Sequence, residues 1–235
     1  MSDWKPKRFW TSSAVVKAKD GYSIELDGRQ IKTPAKATLI LPTRAMAQAV
    51  ADEWDAQEKE VNPATMPFTR SANAAIDKVR HQKAEVADML ADYGDTDLLC
   101  YRATHPVELQ ARQAEAWDPA LDWAAEALKA RLVPVSGVLH QPQSTAALET
   151  LHREVHALDE FRLAAFHDLV SLTGSLILGF AAARDWRNPD EIWRISQLDE
   201  NWQIEQWGED EEAQQVATRK RAAFLHAKRF YNLSV

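Results

Sequence analysis

The chain has 235 residues, is 46% hydrophobic and 27% charged, and carries a formal net charge of −7. That length fits one large domain or two modest ones, and the net acidity argues against a protein that grips nucleic acid through clustered Lys and Arg. A lone Cys100 rules out an internal disulfide, and only seven glycines weigh against a dinucleotide fold or a phosphate-cradling loop.

The start, MSDWKPKRFW, has charges but no apolar run behind them, so no signal peptide is expected. Ser13 to Lys19 is Val-rich and reads as a strand, with Asp20-Gly21 as a hairpin turn. Tyr22, Ile24 and Leu26 alternate with Ser23 and Glu25, the period of a half-buried strand. Asp27-Gly28 offers a second turn, and Gln30 to Lys32 and Thr38 to Leu41 are further short strands. A small antiparallel meander follows from these readings.

After Pro42 the period becomes helical. Thr43 is placed to cap a helix whose stripe is Met46, Val50, Trp54 and Gln57, ended by Asn62-Pro63. Ser71 to Arg80 and Gln82 to Tyr93 are the next helices, the second stopped by Gly94. Asp118-Pro119 reads as a helix start. Leu132 to Pro142 is a connection, and Ser144 to Leu158 and Glu160 to Ala183 are helices. The longest apolar stretch, Leu169 to Ala183, is broken by Ser171, Thr173, Gly174 and Ser175 and falls short of the roughly 20 residues a membrane span needs. It reads as a buried core helix, and a cytoplasmic protein without membrane association is expected. Asn188-Pro189-Asp190-Glu191 opens a helix running through Trp207, and a last helix spans Glu209 to Phe230. The fold class is α+β: a β-rich N-terminal domain with one helix at 1–64, then an all-helical domain at 65–235, joined near Asn62 to Pro67. Most of the nine tryptophans are expected to fill the core, Trp54 among them.

Signals for catalysis are weak. His152 and His156 stand four apart, with Asp159 a turn further, but Arg153 occupies the place where a zinc protease carries Glu. A cation beside the ligands opposes a metal, so these read as partly exposed helix histidines, with no metal expected. Cys100 lies in the apolar run DLLCYR and reads as an inert thiol. His105 precedes Pro106 and reads as a turn residue, and Gly174 and Gly179 read as permitting close helix packing.

DENWQIEQWGEDEEA, Asp199 to Ala213, is different in quality: seven acids, two tryptophans and one glycine. If the helix runs on through Gly208, Asp199, Gln203, Trp207 and Asp210 share a stripe, with Glu200 and Glu211 beside it. Leu198, Trp202 and Val216 then face the core, and Glu205 and Glu209 on that side need Arg or Lys partners or a wet boundary. If Gly208 breaks the helix, Glu209, Asp210 and Glu211 become the first turn of the next one, where the dipole favours them. An exposed Trp rimmed by carboxylates suits a protein-binding surface. A carboxylate-dependent hydrolase or metal-binding enzyme using Glu200, Glu205, Glu209 and Asp210 is the alternative.

The segment Asp199 to Asp210 resembles the signature of the ATP synthase assembly chaperones that act on the α subunit, the assembly factor twelve family. RFW at Arg8, LDGRQIKTPA at Leu26, LPT at Leu41, EWDAQ at Glu53 and MPFT at Met66 are similar to that family as well. DTDLLCYRA at Asp95, WDP at Trp117 and GSLILG at Gly174 continue the likeness in the family's order. Without a transit peptide, the chain looks like a bacterial member. The resemblance implies a non-enzymatic, monomeric chaperone that needs no cofactor and binds the unassembled α subunit of the F-type ATPase until β replaces it. It carries partner-binding roles onto Asp199, Glu200, Gln203, Trp207, Glu209, Asp210 and Glu211, with Gly208 part of the signature. Trp202 inside that signature departs from the family pattern.

Overall fold

In this computed structural model, residues 7–235 are described; residues 1–6, which carry part of the charged start read above, lie outside them. The order is a three-stranded antiparallel sheet followed by a mostly helical chain, the α+β class expected. No helix among the described residues is long and apolar enough to cross a membrane. The chain divides into two compact units.

Of the described residues, the first unit comprises 7–83, Glu160–Ala165 and Arg229–Val235. Strands β1 (Ser13–Ala18) and β2 (Gly21–Leu26) pair with Val15 opposite Ile24, and β3 (Arg29–Gln30) pairs with the end of β2. The expected strand at Thr38 to Leu41 is reduced to single bridges, Lys32 to Thr38 and Tyr22 to Leu41. Ile24 and Leu26 point into the core as the alternation requires, but Ser23 is buried too, so β2 is covered on both faces. Helix α1 (Arg44–Asp55) starts where expected, with the Thr43 hydroxyl accepting from Met46 N–H at 3.1 Å. Met46 and Val50 are fully buried beside Leu39, Leu41, Ile76 and Phe230, each large side chain contributing about 1.5–3 kcal/mol. Trp54 is half-buried and meets Trp10 edge-on at 5.2 Å.

The next helix, α2 (Pro67–Asp77), begins four residues earlier than read because Glu53 caps it from α1. The Glu53 carboxylate accepts from Phe68 N–H at 2.7 Å, Thr69 N–H at 2.8 Å and the Thr69 hydroxyl at 2.7 Å. Burial nevertheless pushes its pKa up, against those donors. The EWDAQ and MPFT segments therefore meet as one joint. Asn62 does not end α1; it caps a short 3-10 turn at Pro63–Thr65, and the buried Gln57 accepts from its backbone N–H at 2.7 Å.

The second unit comprises Ala84–Asp159 and Phe166–Lys228. Helix α3 (Lys83–Ala91) passes into a 3-10 turn, and Gly94 lies within that turn and is no left-handed stop. A Cβ on Gly94 would lie 3.2 Å from Leu151 and 3.3 Å from Leu148, so close packing is what it serves. Strand β4 (Tyr101–Arg102) pairs in parallel with β5 (Val135–Ser136), which lies in the expected connection.

Helix α4 (Val107–Ala127) overturns the expected start at Asp118-Pro119, running straight through Pro119. A proline there costs about 3 kcal/mol, but Trp117, Ala120, Leu121 and Ala124 are buried on either side of it, and that burial outweighs the cost. Asp118 instead accepts from Arg102 Nη2 at 2.7 Å.

After α5 (Thr145–His156), the single helix expected at Glu160 to Ala183 is two, α6 (Glu160–Thr173) and α7 (Leu176–Ala183). Gly174 turns left-handed at φ 69°, and Ser175 caps α7 by accepting from Leu178 N–H at 3.0 Å. The buried Asp97 holds this break: it accepts from Ser175 Oγ at 2.7 Å and from Ile177 N–H and Leu99 N–H at 3.0 Å. Desolvation outweighs those donors, and the Asp97 carboxyl is pushed up to about 6.

The helix expected from Asn188 through Trp207 is also two, α8 (Pro189–Ser196) and α9 (Leu198–Trp207). Its start is as read, with Asn188 accepting from Asp190 N–H at 2.9 Å. Two competitors end it: the Ile195 carbonyl accepts from the indole of Trp117 at 3.0 Å, and Ser196 Oγ donates back to Trp193 O at 2.7 Å. Helix α10 (Glu211–Leu233) closes the chain.

Candidate functional site

Gly208, at φ 89° and ψ 174°, ends α9 and decides between the two readings of the acidic segment. Few residues but glycine adopt that backbone. Asp210 then becomes the cap of α10, its Oδ1 accepting from Glu212 N–H at 2.8 Å and Ala213 N–H at 3.2 Å. Glu211 and Glu212 occupy the first turn, where the helix dipole favours them. The single stripe joining Asp210 to Trp207 does not form.

Asp199, Gln203 and Trp207 do come together. At spacings of four on α9 they line one open hollow of about 710 Å³, with Trp202 and Gln206. The opposite wall is Tyr101 to Pro106, Leu109, Gly137 and Val138. Trp207 is 80% exposed and Val138 89% exposed, so apolar surface faces solvent on both sides. Leu139, beside Val138, is exposed as well.

The Asp199 side of the hollow is anchored from beneath. Gln113, 2% exposed, donates through Nε2 to Asp199 Oδ1 at 2.8 Å and accepts from Ala103 N–H at 2.8 Å. One buried amide thus ties α9 to the loop forming the opposite wall. Gln110 adds a bond to Ala103 O at 3.0 Å. Trp202 is half-buried, with the Arg112 guanidinium 4.7 Å over its ring. The same Arg112 pairs with Glu205 at 2.6 Å, and Glu205 is half-exposed as well, so it has both a cationic partner and a wet boundary.

The remaining carboxylates are spread out. Glu200 and Asp210 line a second depression with Leu98, Ile204 and Val216, while Glu209 and Glu211 are exposed. The seven proposed partner-binding residues therefore divide between the hollow, a helix cap and the open surface. The residues that sequence reasoning passed over are those of the opposite wall. Val138 and Leu139 sit in an irregular connection whose only signal is apolar side chains in a segment without periodicity.

Cys100 is buried and its thiol is pushed up to about 12, by burial first and then by the neighbouring Asp97 charge. His152 and His156 do not use Asp159 as their shared neighbour; both ring Nε2 atoms bond Asp88 Oδ1 from α3, at 3.0 and 2.8 Å.

An open hollow with apolar walls, an exposed tryptophan and the Asp199 carboxylate at its edge suits a protein-binding surface. The family model described as "ATP12 chaperone protein" matches residues 7–125. Atp12 from Paracoccus denitrificans is 47% identical, with a TM-score of 0.97 over 99% of this chain and 100% of that one. A point mutant of the same Paracoccus protein aligns over 100% of both chains, again at 47% identity and a TM-score of 0.97. The mitochondrial protein atp12 of Schizosaccharomyces pombe is 27% identical, over 89% of this chain and 76% of its own length. The chain belongs to the ATP12 chaperone family.

Proposed function

We propose that this chaperone assists assembly of the catalytic sector of ATP synthase by holding the unassembled α subunit until the β subunit replaces it. An unassembled subunit exposes apolar interface and unpaired edges, and covering them prevents aggregation. The observation that carries this reading is the convergence of Asp199, Gln203 and Trp207 on an open hollow whose far wall carries exposed Val138. Trp207 is an anchor for an apolar element of the client, and the exposed Glu200, Glu209 and Glu211, outside the hollow, meet basic or backbone donors as a polar periphery. A polar periphery keeps affinity moderate, as a binder that must be displaced requires. The protein works as a monomer in the cytoplasm, without cofactor or turnover. The carboxylate-enzyme reading finds no support in the geometry. Asp210 is spent on a helix cap and Glu205 on Arg112, and no three carboxylates of the segment gather within ion-binding reach among the described residues.

The test is light scattering of the isolated α subunit diluted from denaturant, with and without this protein. The wild type should suppress scattering. Trp207→Ala should raise the concentration needed by about 30-fold, the weight of a buried aromatic anchor, and Glu200→Lys and Glu209→Lys should weaken suppression less. Circular dichroism confirms that each variant is folded. If the wild type suppresses nothing, the client assignment fails; if Trp207→Ala suppresses fully, the hollow is not the client site.

A further inference from the structure

A second constellation, outside the client-facing hollow, joins α3 to α5. His152 and His156 stack their rings at a centroid distance of 4.0 Å and an interplanar angle of 25°. That stacking turns both Nε2 atoms toward one oxygen, Asp88 Oδ1, at 3.0 and 2.8 Å, and one ligand atom from each residue lies within 4.8 Å of the others. Two imidazoles and a carboxylate are a zinc-type donor set, and around a tetrahedral zinc with bonds of about 2.0–2.1 Å such atoms stand roughly 3.3 Å apart. The two observed nitrogen–oxygen separations are a few tenths of an ångström shorter, so on the Asp88 side an ion needs only a small outward movement of half-exposed side chains.

The cation that opposed a metal in the sequence is engaged by its own helix. Arg153 Nη2 donates to Thr150 Oγ1 at 2.9 Å. The depression beside His152 is lined by Asp92, Asp95 and Glu149 as well as Arg153, so acids outnumber bases around it. An incoming divalent ion therefore meets a favourable field. Side-chain exposures of 50%, 31% and 57% for His152, His156 and Asp88 leave one side of the cluster open.

We propose that Asp88, His152 and His156 bind one zinc-class divalent ion, with three protein ligands and a fourth position open to water or to a donor from another protein. The softness of imidazole selects zinc, nickel or copper over magnesium or calcium. The ion clamps α3 to α5, replacing two hydrogen bonds by three coordinate bonds, and neither site nor clamp depends on the client reading.

The experiment is calorimetric titration of untagged, chelator-treated full chain with zinc chloride at neutral pH. One equivalent should bind, and magnesium chloride should give no heat. Asp88→Asn, His152→Gln and His156→Gln should each weaken binding by more than the roughly 10–100-fold that loss of an outer hydrogen-bond partner costs. The wild type gives an independent readout by imidazole nitrogen NMR, where zinc should shift two of the seven histidine rings. Absence of a one-to-one site, undiminished binding in His152→Gln/His156→Gln, or zinc shifts on other rings than these two would each overturn the site.

Discussion

Gly179 lies on α7, buried where that helix crosses its neighbour α6. A Cβ placed there would stand 2.6 Å from Val170 Cγ2, with Phe166 ring atoms at 3.4 and 3.5 Å. Alanine in a helix gains about 1 kcal/mol over glycine. Overpacking a tight core costs about 1–3 kcal/mol, and the rigid Phe166 ring leaves Val170 little room to retreat. The 2.6 Å approach places this site in the upper part of that range, so Gly179→Ala should be less stable than the wild type by about 1–2 kcal/mol, a fall in Tm of roughly 2–8 °C for a chain of this size. Val170→Ala alone should cost about 2 kcal/mol, two lost methyl groups plus the void. In the double variant the added methyl enters that void, so its cost should fall short of the sum of the two single costs by about 1–2 kcal/mol. Urea denaturation followed by circular dichroism measures all four corners of the cycle. A Gly179→Ala protein as stable as the wild type, or a strictly additive double variant, would refute the packing argument.

The buried Asp97 makes stability depend on pH in an unusual direction. Its folded pKa of about 6 lies above the ordinary 3.8, so the folded state holds the proton more tightly. The stability this contributes is fully present below about pH 3.8 and is lost as the pH rises through about 6; it amounts to about 3 kcal/mol. Asp97→Asn removes that component, so the difference in urea midpoint between wild type and variant should change between pH 4 and pH 7, and a constant difference would count against the shift. Cys100, buried with a thiol pushed up to about 12, should react with a disulfide reagent at pH 8 only after denaturation; rapid labelling of the native protein would contradict this.

Caps and turns were the legible part of the sequence. Thr43 and Asn188 cap the helices they precede, because a short oxygen-bearing side chain before an amphipathic run has one local use. The same logic failed at Asp118-Pro119, where packing of Trp117 and its neighbours outweighed a local signal worth less. It also failed at Gly174 and at Ser196, where the breaks are imposed by Asp97 and by the Trp117 indole, side chains far away in sequence. No periodicity contains such partners. The family-like segments divide by the same rule. EWDAQ with MPFT, and DTDLLC with GSLILG, are buried joints between elements, while Asp199 to Trp207 presents surface. Half of the candidate site was thus visible as an acidic, aromatic helix. Its other wall, at Val138, was hidden in a loop whose side chains gain meaning only from what stands opposite.

The exposure of Trp207 also makes the hollow visible to light. Among the described tryptophans it alone is largely open to solvent, the others being buried or half-buried. A collisional quencher such as iodide therefore reaches its excited indole before theirs, and in a Trp4→Phe variant, which leaves only the described tryptophans, the quenched fraction of the emission belongs mainly to this one ring. Whatever settles against α9 shields that ring and restores its glow, so occupancy of the surface can be followed in real time without attaching any label.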